Sequence, residues 1–160
     1  DDGGDGGGGA RLIVVYASRG EKTALRRLRR ADEAALISAL TAVCAAEDAE
    51  LVTFDAERLV DSTAAIFSRA SAVVGVHGGA LANVIHCARG AALVEIGGRS
   101  PFATHYAHAA EALGLDYSAV AAGAGVGAAE VALTREVIAS AAEALADALL
   151  LRRSKSKSEL

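Results

Sequence analysis

Cysteine is scarce in this chain of 160 residues, which contains two. Two are too few for the disulfide framework of a small secreted domain, and they do not stand at a metal-ligand spacing. Cys44 and Cys87 both lie among apolar residues. Small thiols in such surroundings are commonly buried. We therefore expect both side chains in the core, and they give no indication of the redox compartment.

The chain also lacks an excess of basic over acidic residues, and it lacks long apolar runs. Sixteen Lys and Arg stand against twenty Asp and Glu, for a formal net charge of −4, so the chain lacks the positive surface that binds a phosphate backbone and no nucleic acid partner is expected. The one basic run, Arg26 to Arg30, is interpreted as a solvated loop before a helix. No run of about 18 apolar residues is uninterrupted by charge or glycine, so no membrane span is predicted.

The apolar content, 52%, is enough for one core in a chain of this size. Residues 1–10, rich in Gly and Asp, are expected to be a flexible linker. Residues 11–151 are expected to form one domain, and residues 152–160 a polar tail. A linker at the start suggests that the sequence is part of a longer protein.

Short apolar runs alternate with amphipathic patterns along the domain, which is typical of strands alternating with helices. The predicted strands are Arg11–Ser18, Glu50–Phe54, Ala72–Val76, Ala91–Ile96 and Asp116–Val120. The predicted helices are Asp32–Glu47 capped by Asp32, Asp61–Ala70 capped by Asp61 or Ser62, Gly79–Cys87, Phe102–Leu113, and a long one capped by Thr134. The alternation predicts a Rossmann-like α/β domain, with a parallel sheet of about five strands and helices on both faces.

The stretch SAVVGVHGGALANVI, Ser71 to Ile85, carries the strongest functional signal. His77, Gly78 and Gly79 lie between the end of a predicted strand and the start of a predicted helix. Glycines there let a ligand approach the backbone, and the N–H groups at a helix start attract an anion such as phosphate. Neither G-x-G-x-x-G nor the lysine of a P-loop is present, which argues against a dinucleotide-binding oxidoreductase or a P-loop enzyme.

The segment SAVVGVHGGALANVIHCARGAALVEI resembles the core pattern of glycosyltransferase family 61, hGxHGAGLTNhhF-x-PG-xxhhE, where h is apolar. Four more segments resemble the family in the same order between Arg11 and Val120: VVYASR, LRRADEAALISAL, FSRASAVVGVHG and HYAHAAEALGLDYSAV. The family includes plant β-1,2-xylosyltransferases and the O-GlcNAc transferases of extracellular domains.

The chain departs from the family pattern at several small or turn residues. Gly79-Ala80 stands where the family has Ala-Gly, Ala82-Asn83 where it has Thr-Asn, and Arg89-Gly90 where it has Pro-Gly; Arg30 replaces an asparagine that is frequent in the family. These changes leave the fold prediction intact and bear on nucleotide affinity. They also keep open an alternative function, a non-catalytic nucleotide-binding or interaction module with the same fold.

The resemblance implies the C-terminal lobe of an inverting, GT-B type transferase. This lobe would bind a UDP-sugar for hexosyl or pentosyl transfer to a glycan or glycoprotein acceptor, without a metal or other cofactor. The catalytic base would belong to the N-terminal lobe of the same protein, so no catalytic residue is assigned within this chain. The residues predicted to bind the nucleotide sugar are Arg19, His77, Gly78, Gly79, Ala80, Leu81, Asn83 and Glu95.

For four of these side chains a specific role in binding the donor is predicted, and each also has a purely structural alternative. Arg19 would place a fixed charge on the diphosphate, or be a surface arginine. His77 would donate to a phosphate or sugar oxygen, or brace the loop. Asn83 would bond the ligand or cap a strand, and Glu95 would accept from ribose hydroxyls or face solvent at a strand end. His105 and His108 stand at helical spacing, but no metal site is expected.

The resemblance also implies residence in the lumen of the Golgi or endoplasmic reticulum, with an upstream transmembrane anchor. The last four residues, Lys157 to Leu160, differ by one residue from the K-D-E-L retrieval signal. Chance similarity in a polar tail is the alternative.

Overall fold

The computed structural model describes residues 11–18, 27–55, 62–97, 104–122 and 130–158. Their strands are β1 (Leu12–Ser18), β2 (Arg27–Leu28), β3 (Ala49–Asp55), β4 (Ala72–Val76), β5 (Ala92–Ile96), β6 (Asp116–Val120) and β7 (Glu130–Val131). Their helices are α1 (Arg30–Ala46), α2 (Thr63–Ser68), a 3-10 helix (Gly79–His86), α3 (His105–Leu113) and α4 (Arg135–Ser158).

Five of the strands form one sheet in the order β3-β1-β4-β5-β6, and every neighbouring pair is parallel. The predicted strands lie within one residue of the observed ones at each end. The predicted α/β fold with a five-stranded parallel sheet is therefore confirmed. β2 and β7 pair separately as a short parallel ribbon, which the sequence patterns did not indicate.

Both faces of the sheet are covered because alternate strand residues point to opposite sides. On the first face, side chains such as Val14 and Val74 pack against α1 and α4. On the second face, Val73 and Leu93 pack with residues of α2, the 3-10 helix and α3. The buried residues of α4 are spaced four apart, from Val137 to Leu149, as expected for a helix with one apolar face.

Two predictions about helix starts differ from the structure. α1 begins at Arg30 without a side-chain cap, and the predicted cap residue Asp32 instead accepts a bond at 2.9 Å from the N–H of Leu133. Asp32 therefore ties α1 to the segment before α4. α2 begins without a side-chain cap from Ser62, and Asp61 falls outside the described residues. The predicted cap of α4 is confirmed, since the Thr134 hydroxyl accepts from the Val137 N–H at 3.3 Å.

Three further sequence interpretations are corrected. The helix predicted from Gly79 is a 3-10 helix. The basic run was interpreted as a solvated loop, but its described part includes β2, and Leu28 is buried. Of the two cysteines, Cys44 is buried as expected, whereas Cys87 is only partly buried.

The polar segment after the last apolar turn of α4 continues the helix through Ser158 instead of leaving the domain as a tail. Its cations contact groups near the amino ends of the two outer strands, β3 and β6. The Arg153 guanidinium donates to the carbonyl oxygen of Glu47, at the end of α1, and the Lys155 ammonium lies 2.8 Å from the Asp116 carboxylate, at the start of β6. These long-range contacts extend the helix beyond its apolar stripe.

We predict that Arg153→Ala lowers the free energy of unfolding by about 1 kcal/mol, since it removes a charged hydrogen bond to a partly exposed carbonyl. Urea unfolding followed by circular dichroism measures the change. Arg135→Ala, at the exposed opposite end of α4, is the control and should change stability by less than about 0.5 kcal/mol. Equal losses for the two variants would contradict the proposed anchoring.

Candidate functional site

The loop after β4 continues the sheet for one residue and then turns sharply. The N–H of His77 donates to the carbonyl oxygen of Ile96 at 2.8 Å, so β4 and β5 stay linked beyond Val76. Gly78 has φ 152° and ψ −179°, a conformation that is essentially restricted to glycine. The 3-10 helix starts next, and its first turn is closed by the bond at 3.0 Å from the Leu81 N–H to the Gly78 oxygen.

A second glycine sets how closely the 3-10 helix approaches the sheet. A methyl group at Gly75 would lie 2.8 Å from Cδ2 of Leu81 and 3.2 Å from the carbonyl oxygen of Ala17. Leu81, which was predicted to contact the nucleotide sugar, is fully buried in this packing. Its side chain therefore anchors the helix to the second face of the sheet.

Gly79 is different, because a methyl group built on it meets nothing within 4 Å. The residue is exposed, and the neighbouring Ala80 is partly buried. The N–H groups of both residues precede the Leu81 N–H, which makes the first bond within the helix. The backbone is thus accessible where the helix begins, at the carboxyl edge of the parallel strands.

Glu95 is fully buried, with no exposed surface, and both of its carboxylate oxygens have partners. Oε1 pairs with Nδ1 of His77, and Oε2 accepts a bond at 2.6 Å from the hydroxyl of Tyr117. Leaving a buried carboxylate without such partners costs several kcal/mol. The sequence offers a solvent-facing carboxylate as the alternative to ribose binding, and that alternative is wrong because Glu95 is buried. The prediction that it binds ribose is not tested by these contacts.

Aromatic side chains from the start of α3 surround the loop. The Tyr106 hydroxyl donates to the carbonyl oxygen of Gly78 at 2.7 Å. The His105 ring lies 4.9 Å from the His77 ring and 4.6 Å from that of Tyr106, centroid to centroid. The Tyr106 and His77 rings also meet edge to face, with their centroids 5.6 Å apart. α3 thus fixes both the glycine backbone and the histidine ring.

Two further residues predicted to bind the donor, Asn83 and Arg19, remain to be placed. The Asn83 amide donates to the carbonyl oxygen of Ala80 at 3.0 Å, within its own helix, so it does not cap a neighbouring strand in this structure. Arg19 falls outside the part of the chain that the structure describes. Across the described ranges, no group of three His, Cys, Asp or Glu side chains is placed to hold a metal ion.

Sequence reasoning identified His77 and Glu95 separately and missed that they bond to each other. It also assigned no site role to Tyr106 or Tyr117. A signal for Tyr117 is present in the register, since β5 and β6 pair Leu93 with Tyr117. Residues two apart on a strand share a face, so Glu95 and Tyr117 lie on the same side. That signal requires knowing which strands are neighbours.

Burial and bonding shift the acidity of two groups near the loop. Burial, reinforced by the bond to Glu95 and its charge, raises the pKa of the Tyr117 phenol well above its usual value. Burial raises the pKa of the Cys87 thiol to about 11. Cys87, at the end of the 3-10 helix, therefore carries a protonated, unreactive thiol at neutral pH.

A similar carboxylate cluster lies on the first face of the sheet. Glu33, in the first turn of α1, accepts from the hydroxyls of Tyr16 at 3.0 Å and Ser18 at 2.8 Å. Burial, with the charge and bond of Glu33, raises the pKa of Tyr16. Among the described residues, two tyrosine–carboxylate bonds thus lie on opposite faces of the sheet, and the one on the second face connects to the glycine loop.

The family model described as glycosyltransferase 61 matches residues 11–94, more than half of the chain, and this range contains the entire glycine loop. The chain belongs to glycosyltransferase family 61. The resemblance stated from the sequence is therefore confirmed, and the general activity that follows for the protein is glycosyl transfer.

Comparison with solved structures gives the fold of this glycosyltransferase domain. A flavodoxin from the domain Archaea superposes with a TM-score of 0.53 at 10% identity, over 89% of this chain and 99% of that one. At this identity the likeness concerns the fold alone. No curated protein matches the chain in sequence.

We predict different effects of alanine at Gly75 and at Gly79. Gly75→Ala should lower the free energy of unfolding by about 1–3 kcal/mol, because the new methyl group overlaps Leu81. Gly79→Ala should leave stability unchanged or raise it by up to about 1 kcal/mol, since space is available and the unfolded chain loses freedom. Urea unfolding of both variants tests this, and equal stability would contradict the close packing at Gly75.

We predict that the free energy of unfolding falls as the pH rises above about 10. Unfolded tyrosines lose their proton near pH 10, whereas the folded chain keeps Tyr16 and Tyr117 protonated to higher pH. This stability is complete below about pH 10 and is lost as the pH rises through the folded-state pKa. Urea unfolding across the pH series should show a shallower fall for Tyr117→Phe. A slope equal to that of the unaltered chain would contradict the prediction.

Proposed function

We propose that this chain is the donor-binding lobe of an inverting, GT-B type glycosyltransferase and that it holds the diphosphate of a UDP-sugar at the loop from His77 to Ala80. The observation that carries the proposal is the accessible backbone at Gly79, where the 3-10 helix begins at the carboxyl edge of the sheet. Ligands of open parallel sheets bind outside this edge.

The chemistry of the loop suits a leaving diphosphate. Negative charge develops on that group as the bond between the sugar and the diphosphate breaks, and fixed hydrogen-bond donors stabilise it. The N–H groups at the start of a helix supply such donors together with the positive end of the helix dipole. His77 adds a ring nitrogen next to them. Arg19, the residue that follows β1, is proposed as a further charge on the diphosphate.

The proposal includes three statements about the rest of the reaction. The base that deprotonates the acceptor hydroxyl belongs to a second lobe of the same protein. The diphosphate is stabilised by protein groups without a divalent metal. The acceptor is a glycan or glycoprotein, and the transferred sugar is a hexose or a pentose. All three rest on the family and on the donor groups at this loop.

We also propose that the protein works in the secretory pathway, in the Golgi or endoplasmic reticulum, because it belongs to this family. The helices within the described ranges do not include one that is long and apolar enough to cross a membrane. An anchor upstream of this chain is part of the proposal.

We predict that His77→Asn weakens UDP binding about tenfold or more. Asparagine retains an N–H donor near the position of imidazole Nδ1, so Glu95 keeps a partner, but the variant lacks the Nε2 side of the ring. Losing one charged hydrogen bond costs about 1.5–3 kcal/mol, and 1.4 kcal/mol corresponds to tenfold. Isothermal titration with UDP gives the dissociation constants, and titrations with and without EDTA should agree.

The matched control is His86→Asn, which alters an exposed histidine at the far end of the same helix and should not change UDP affinity. Equal affinities of His77→Asn and the unaltered chain would remove His77 from the donor site. Absence of UDP binding by the unaltered chain would favour the alternative function, a non-catalytic interaction module with this fold.

A further inference from the structure

We infer that Glu95 acts on the donor only through His77, as a positioning residue, and that Tyr117 completes a buried chain of hydrogen bonds that holds the His77 ring in place. This inference rests on the proposed donor site. It assigns a role to Tyr117, which the sequence patterns left without one, and it replaces the direct bond to ribose expected for Glu95.

The first step of the inference concerns access. A carboxylate that binds ribose hydroxyls must reach the ligand, but the Glu95 side chain has no exposed surface. It lies on the second face of the sheet, where Leu93 of the same strand joins the apolar core. His77 stands beside it with a side chain that is about one-tenth exposed. Of these two bonded groups, the imidazole is therefore the one that reaches the surface of the domain.

The second step concerns the orientation of the ring. A carboxylate oxygen accepts, so the proton shared with Glu95 lies on Nδ1 of His77. This bond directs Nδ1 toward the sheet interior and leaves Nε2 on the opposite side of the ring, where a second proton makes it the donor to the diphosphate. The edge-to-face contacts with His105 and Tyr106 restrict rotation about the remaining side-chain torsion. Bonding and packing together give the imidazole a single orientation.

The third step concerns how Tyr117 contributes. Its hydroxyl occupies Oε2 of Glu95, so the carboxylate is held at both oxygens and Oε1 remains directed at Nδ1. The three residues come from three neighbouring strands or strand ends: Tyr117 from β6, Glu95 from β5, and His77 from the end of β4. The parallel register of those strands sets their spacing. Holding such a ligand-facing group in one geometry is what lowers the entropy lost on binding.

The test is a pair of double-mutant cycles on UDP binding. Glu95→Gln and Tyr117→Phe are each made in the unaltered chain and in His77→Asn. Glutamine keeps an acceptor for Nδ1 and a donor toward the tyrosine hydroxyl, which favours folding. We expect Glu95→Gln to raise the dissociation constant of UDP about tenfold and Tyr117→Phe about threefold. In the His77→Asn background neither substitution should change it further.

The matched control is Tyr16→Phe, which removes the tyrosine–carboxylate bond of 3.0 Å on the other face of the sheet. It should leave UDP affinity unchanged in both backgrounds. Thermal unfolding of every variant shows whether it is folded at the temperature of the UDP titration. If Glu95→Gln does not fold, the cycle with Tyr117→Phe decides the outcome, because that change removes only one hydroxyl.

A second readout does not depend on UDP. Nitrogen-15 NMR of the imidazole rings reports which nitrogen of His77 carries the proton. The unaltered chain and Tyr16→Phe should show Nδ1 protonated with a slowly exchanging proton, whereas Glu95→Gln and Tyr117→Phe should show faster exchange or a mixture of tautomers. A purely packing role of Tyr117 would leave this spectrum unchanged.

Each result decides between the proposals. If Glu95→Gln weakens UDP binding by the same factor in His77→Asn as in the unaltered chain, Glu95 contacts the ligand itself. That result would overturn this inference while supporting the donor site. An unchanged His77 spectrum in Glu95→Gln and Tyr117→Phe would also overturn it. Absence of UDP binding by the unaltered chain would overturn the donor site, and the inferred action of Glu95 on the donor with it.

Discussion

The carboxyl group of Glu95 constrains the whole second face of this domain. A charged group without solvent has to find partners within the protein, and each partner here comes from a different element. Tyr117 supplies one from β6, and His77 supplies the other from the loop after β4. The order and register of these strands, the turn at Gly78 and the packing of α3 against the loop are all compatible with that requirement. A slip of one residue in β6 would turn the tyrosine to the other face.

The strands were predictable because their signal is local. The strands β4 and β6 were predicted with their observed ends, β4 from a run rich in valine and β6 from its place in the alternation of strands and helices. The two-residue strands β2 and β7 are too short to show a period of two, and their pairing joins segments about a hundred residues apart. The end of α4 was mispredicted for a related reason. Its lysines and serines are typical of a solvated tail. The contact of Lys155 with the distant Asp116 cannot be inferred from the local sequence.

The site was predictable to the extent that it follows from strand ends and glycines. Those features placed His77, Gly78 and Gly79 together at a helix start, as observed. The role of Asp32 could not be read in the same way, because a short acidic side chain near a helix start ordinarily caps it, and here a backbone N–H from a remote segment binds it instead. The burial of Glu95 likewise depends on α3 and β6. No local sequence pattern indicates where these two elements lie relative to β5.

The strand order has a consequence for where a ligand can enter. The chain passes from β1 to β3 in one direction along the sheet and from β4 to β5 in the other. The sheet therefore has a topological switch point between β1 and β4. α1, which follows β1, packs on the first face, and the 3-10 helix, which follows β4, packs on the second. Connections that diverge in this way leave a crevice at the sheet edge whatever residues line it. Substitutions in the loop, at Gly79 or Ala80 for example, therefore change the lining of this position without changing the strand order that sets it.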